Sequence, residues 1–253
     1  MIYIFEFITE SEFDPAVVLH FFKLRMLPAE NAFQPLISSN VQIFPDVRIN
    51  TATDGFGNML MYGGYNQEHS LFRVKTSGLV NCMEYLLPDE SPSDYYLYHT
   101  HMTDCNKKIR EMAVGLSIVE IMDRVHTSIQ YERFVTDNTT TATQALNRGS
   151  GVCQDFAHIM IAACRSAGLH ARYVNGLIEG EGETHAWVEV YSDGCWRGFD
   201  PTYDKEIHEG YMKIAHGRDA NDCPVNRGRF YQWTLEKMSV LSKLEKENET
   251  TEQ

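Results

Sequence analysis

The stretch GSGVCQDFAHIMIAACRSAGLHAR, residues 149–172, places a cysteine directly after a glycine turn, where an apolar helical pattern begins. Phe156, Met160, Ala163, Cys164 and Ala167 recur at the spacing of one helix face, which predicts a helix opening at Cys153. In the first turn of a helix several backbone N–H groups have no intrahelical partner, and the positive end of the dipole lies there. Both effects favour a thiolate. A cysteine of ordinary pKa about 8.5 can fall by several units at such a position beside an imidazolium. The same amides can receive the oxyanion that forms when a thiolate attacks a carbonyl. Cys164, on the apolar face, reads as small core packing. Cys153 alone is a weak signal; it gains weight only with a base.

ETHAWVEVYSDGCWRGFDPTYD, residues 183–204, supplies one. His185 opens one strand, Asp200 closes the next, and Ser192-Asp193-Gly194 lies between them as a turn. With Ser192 and Asp193 as the turn residues, antiparallel pairing sets His185 directly opposite Asp200. A wider turn shifts the register by one and needs a bulge to restore the facing. An imidazole held by a carboxylate through one nitrogen can face a thiol with the other. Taken singly, His185 could be a satisfied strand histidine and Asp200 a turn residue. Taken together, nucleophile, base and orienting carboxylate fall in three consecutive elements, and the functional reading is favoured.

The rest of the chain divides around this core. Residues 1–87 read as strands, including a hairpin about the DGFGN turn at 54–58 and an alternating run with Phe72, Val74, Thr76 and Val80 on one face. AVVLHFFKLRML, residues 16–27, is ambiguous between helix and strand. PDESPSD marks a linker, assigned to 88–108. From Ile109 to Ile129 the periodicity predicts one amphipathic helix of about five to six turns. TTTATQALNRGSG is a loop or short helix, and the catalytic region is assigned to 109–234. A charged tail is expected over 235–253, disordered in its last third. The fold class expected is α+β, an antiparallel β-sandwich followed by an α+β core whose nucleophile helix packs on an antiparallel sheet.

The formal net charge of −13 argues against nucleic acid or an anionic membrane as partner. No apolar run approaches the roughly 20 residues of a membrane span. The first residues, MIYIFEFITESEF, lack a basic lead-in, so a cytoplasmic location with six reduced thiols is expected. His99, His101 and Cys105 could begin a metal site, but no fourth ligand has recognisable spacing, so neither metal nor cofactor is expected. Asp155 and His158 are expected to be structural, Trp187 to pack in the core or wall the cleft, and Gln144 or Asn147 to be loose candidates for an oxyanion donor.

On these motifs the chain resembles the transglutaminase-like superfamily, in its bacterial transglutaminase-like and cysteine protease branch. GVCQDFAHIMIAACRSAGLHARYVNG is similar to that family's nucleophile helix and next strand, THAWVEVY to its histidine strand, and CWRGFDPT to its aspartate strand. LRMLPAE, the DGFGN turn and HSLFRV resemble its β-sandwich N-terminal region, and HGRDANDCPVNRG a downstream segment, although Ala220 and Cys223 depart from the usual pattern there. The resemblance implies Cys153 as nucleophile, His185 as base and Asp200 as orienter, acting on a peptide or protein amide through a thioester. Nothing matches the calcium-binding loops of animal transglutaminases. Members of the family differ in reaction, so hydrolysis by a peptidase or amidase is the first reading, protein-glutamine transamidation the second. A non-catalytic peptide-binding scaffold is the third.

Overall fold

The computed structural model describes residues 1–88 and 90–247. The disorder expected for the end of the tail falls largely on 248–253, outside the described residues. Two antiparallel sheets form the N-terminal part. Strand Ile2–Val17 alternates as far as Phe13, with Tyr3, Phe5 and Phe7 buried while Ile2 and Ile4 are exposed. It pairs with His69–Asn81, whose Phe72, Val74, Thr76 and Val80 are all buried on the same side. The ambiguous 16–27 run gives strand His20–Leu24, and the DGFGN turn joins Asn50–Thr53 to Met59–Tyr65 as a hairpin. Phe22 from one sheet meets Phe72 from the other, with ring centroids 4.9 Å apart. This is the sandwich core.

Two later segments complete the sandwich, the first of them inside the stretch 109–234 that the sequence reading gave to the catalytic region. Asn226–Arg229 pairs with His20–Leu24, and Leu235–Lys246 pairs with the first strand from Asp14 back to Tyr3. The expectation of a charged tail from 235 is therefore corrected. Ser242 and Leu244 are buried at alternate positions near its end, and most of the strand's other side chains, charged and apolar alike, are exposed.

Four α-helices occur among the described residues: α1 Lys107–Glu111, α2 Ile118–Ser128, α3 Ala142–Arg148 and α4 Cys153–Ser166. The single helix expected over 109–129 is two helices. Gly115 takes the left-handed conformation at φ 68°, and Ser117 with Glu120 forms a capping box that restarts the helix. α3 likewise opens on a Thr141–Gln144 capping box and ends at left-handed Gly149.

A six-stranded sheet carries α4. Its main path runs Lys205–Ile207, Cys195–Asp200, His185–Ser192, Ala171–Ile178, Tyr211–Gly217, with Leu86–Leu87 added against Cys195–Asp200. Ala186, Val188 and Val190 belong to the core that includes α4, whereas Trp187 belongs to a second cluster with Tyr85, Tyr96 and Trp196. Covered on both faces, the His185 strand is buried through its first six residues. Every α4 residue from Asp155 to Arg165 is buried too, so the helix is central. Arg165 near its C-terminus donates to the carbonyls of Tyr96, Tyr98, Ala171 and Arg218, which ties the presumed linker and the downstream segment to the helix.

Candidate active site

Cys153 is the first residue of α4 and is half-buried. Its position is set by the residues beside it. Asp155, at the third helical position, accepts from the Val152 N–H at 2.8 Å and from the Thr136 hydroxyl at 2.7 Å. That contact satisfies an otherwise unpaired donor and fixes how the chain enters the helix. Gly151 is required by the same approach, because a Cβ there would lie 2.6 Å from the Asp155 carboxylate oxygen. Burial pushes the Asp155 carboxyl upward against those hydrogen bonds. His158, one turn on, is fully buried and accepts from the Ala220 N–H at 3.2 Å. Both residues are structural parts of α4.

His185 Nε2 lies 2.6 Å from Asp200 Oδ2, and the carboxylate is completely buried. Asp200 also accepts from Tyr211 Oη at 2.7 Å and, through Oδ1, from the Thr202 N–H at 2.9 Å. A carboxylate with three donors is fixed in place. Burial of His185 opposes the charged ring, but Asp200 and then the neighbouring Cys153 sulfur outweigh it and hold the pKa up at about 10. Asp200 therefore favours the charged ring, with Nε2 turned to the carboxylate. Cys153 and His185 line one cavity of about 410 Å³, together with Tyr131, Phe134, Tyr203 and the whole run 178–184.

The register, which the sequence left open, is neither of the two considered above. Ser192 faces Cys195, so the turn residues are Asp193 and Gly194, both left-handed at φ 52° and 82°. Val188 faces Phe199, and one step further Asp200 comes opposite the Trp187 position. His185 is two residues along the same strand, hence on the same face and diagonal to Asp200. Asp-Gly is a strong signal for a two-residue turn with both residues left-handed, and it was the readable clue.

The other residues singled out above have plain structural places. Cys164 and Trp187 are fully buried core. Gln144 is occupied in the α3 capping box, and neither it nor Asn147 lines the cavity. His99 bonds the Thr103 carbonyl, and no group of three His, Cys, Asp or Glu side chains is gathered for a metal among the described residues. All six cysteines are free. Sequence reasoning missed Tyr211 and a buried charge network on the His185 strand. There, Glu189 accepts from Lys213, Tyr85 and Arg172, and Tyr85 in turn accepts from Trp187 Nε1 at 2.9 Å. A glutamate inside the apolar run HAWVEV was its available signal, since a carboxylate buried on both sides demands partners.

Comparison with known proteins agrees with this architecture. Residues 105–201 match the profile of the transglutaminase-like superfamily, and residues 3–81 match the bacterial transglutaminase-like N-terminal region. An uncharacterized protein of Mycobacterium leprae is 27% identical over 240 residues, covering 82% of this chain and 85% of that protein. One from Mycobacterium tuberculosis is 25% identical over 268 residues, covering 88% and 85%. The crystal structure of a "Putative Cysteine Protease" from Cytophaga hutchinsonii superposes with a TM-score of 0.80 at 20% identity, over 99% of this chain and 92% of that one. With both profiles matched in this order and the fold shared along its whole length, the chain belongs to the transglutaminase-like superfamily, as a transglutaminase-like core joined to a bacterial transglutaminase-like N-terminal region.

Proposed function

We propose that the chain is a cysteine-dependent acyl-transfer enzyme that hydrolyses a peptide or side-chain amide through a thioester on Cys153. The observation that carries the reading is the 2.6 Å His185–Asp200 contact beside a cysteine at the start of α4, in one cavity. In the first half-reaction the Cys153 thiolate attacks the amide carbon, and the oxyanion forms next to the unpaired N–H groups of the first turn of α4. The His185 imidazolium gives its Nδ1 proton to the departing amine nitrogen, the C–N bond breaks, and an acyl thioester remains. In the second, neutral His185 takes a proton from water as the oxygen attacks the thioester. The C–S bond breaks, the carboxylic acid leaves, and the thiolate–imidazolium pair is restored. Asp200 keeps Nε2 occupied throughout, so that Nδ1 is the nitrogen presented to sulfur and substrate.

Water is the favoured second nucleophile because the cavity rim is open. Tyr131, Phe134 and Tyr203 are exposed, and no described element covers them. A glutamine-containing peptide incubated with a primary amine and read by mass spectrometry tests this choice. A product one mass unit heavier, or a cleaved chain, is expected; amine incorporation without hydrolysis overturns it. Iodoacetamide tests the nucleophile itself. Selective alkylation of Cys153 at mildly acidic pH, lost in His185→Ala, is expected, whereas reactivity equal to that of an ordinary free thiol refutes the reading.

A further inference from the structure

The five-stranded sheet of the sandwich ends in the candidate active site. Its last strand, Gly180–Gly182, pairs on one side with Leu235–Lys246, through Gly180–Leu244, Glu181–Lys243 and Gly182–Ser242. Among the described residues no strand pairs with its other side. In an antiparallel ladder alternate residues turn their N–H and C=O toward the partner, and the residues between them turn theirs outward. This edge is therefore able to accept one more strand. Its place is what matters, because all eight consecutive residues from 178 to 185 line the cavity that holds Cys153.

The glycines supply a second, independent observation. Gly180 has φ 119°, a conformation that explains its lack of a side chain. Gly182 has no such reason. Its φ is ordinary, and a Cβ built on it would meet nothing within 4 Å. Gly182 ends this short exposed strand and leaves the wall bare of a side chain there, so that another backbone can come close. At Gly182 the space a side chain would occupy is on an exposed strand in the wall of the reaction cavity.

We infer that the acyl substrate is an extended polypeptide main chain, laid as an added strand along Gly180–Gly182 so that one of its own amide carbonyls meets Cys153. This rests on the acyl-transfer reading and narrows it, since a glutamine side chain on a folded surface could not make such a ladder. Main-chain hydrogen bonds to the edge give affinity with little dependence on side-chain identity.

N-acetyl-trialanyl chloromethyl ketone, its backbone N-methylated counterpart and iodoacetamide separate the two levels of the argument. The rate at which each alkylates Cys153 in the full-length protein is followed by mass spectrometry. Iodoacetamide reports on the thiol alone. The unmethylated peptide is expected to react about tenfold faster than the methylated one, because methylation removes ladder donors. In Gly182→Val that difference is expected to shrink to about twofold or less, because the new side chain occupies the approach. A Cβ there meets nothing within 4 Å, and a circular dichroism spectrum matching the wild type verifies the fold of the variant. Equal rates for the two peptides in the wild type, with Cys153 still selectively labelled by iodoacetamide, overturn the strand-addition inference and leave the catalytic reading standing. A tenfold difference that survives in Gly182→Val overturns it as well. Absence of selective labelling by any of the three reagents brings down both.

Discussion

Removal of the charge on Glu189 probes how the histidine strand is anchored. Glu189 is fully buried and accepts from Lys213 Nζ at 2.9 and 2.8 Å, from Tyr85 Oη at 2.7 Å, and from Arg172. Burial pushes its carboxyl up, but the Arg172 and Lys213 cations outweigh burial and bring the pKa to about 2, against an ordinary 4.5. At 1.36 kcal/mol per unit, that difference corresponds to about 3 kcal/mol of stability. The folded pKa lies below the unfolded one, so the contribution is present above pH 4.5 and is lost as pH falls toward about 2. Glu189→Gln keeps the shape and removes the charge, leaving Lys213, already lowered to about 8 chiefly by burial, without its hydrogen-bonded carboxylate. The expected loss of about 3 kcal/mol corresponds to about 6–12 °C in Tm for a chain of this size. Thermal unfolding followed by circular dichroism at neutral pH measures it, and the same scans down the acid limb should show a shallower decline in the variant. Adding Lys213→Met should recover part of the loss, since the unpaired buried cation is then gone. A Tm within about 2 °C of wild type, with an unchanged acid limb, refutes the assignment of these groups as a charged buried network.

Three further outcomes follow from the site. His185 has a folded pKa of about 10, raised above its ordinary 6.5, so its contribution is complete below pH 6.5 and is lost as pH rises through about 10. Urea unfolding from neutral pH to about pH 11 should show that alkaline decline in the wild type and a flatter profile in His185→Gln. Tyr211→Phe removes a donor from the Asp200 oxygen that holds the ring. The freed carboxylate becomes a stronger partner for His185, so the alkaline limb of Cys153 alkylation should move upward, with about 1 kcal/mol lost in stability. Gly176→Ala places a Cβ against the Met212 carbonyl oxygen and the Trp187 ring, and should cost about 3 kcal/mol in urea unfolding while shifting Trp187 fluorescence.

The local elements were legible in the sequence wherever one periodicity dominated. Alternation in 72–80 showed which residues face the sandwich core, and the apolar pattern after Val152 located α4 and its first residue, Cys153. The residues of the candidate site were nameable for the same reason, because Cys153, His185 and Asp200 each sit at an end of a readable element. Periodicity also misled. It carried one helix across Gly115 and Ser117, where left-handed geometry and a capping box break it. The charge of 235–246 hid a strand because only Ser242 and Leu244 are buried in it, and its apolar residues follow no period of two.

Long-range pairing decided the rest. Nothing local to Leu235–Lys246 says that it lies between the first strand and Gly180–Gly182, and without it the cavity wall has no sheet behind it. Tyr211 reaches Asp200, and Tyr85 bridges Glu189 to Trp187, across separations along the chain that no motif spans. The sequence determined by itself which groups are chemically able to act, because reactivity belongs to residue type and to the ends of local elements. Only the tertiary structure decided how the ring is held, how its charge is stabilised and what stands around it, because those depend on which distant polar groups are buried together.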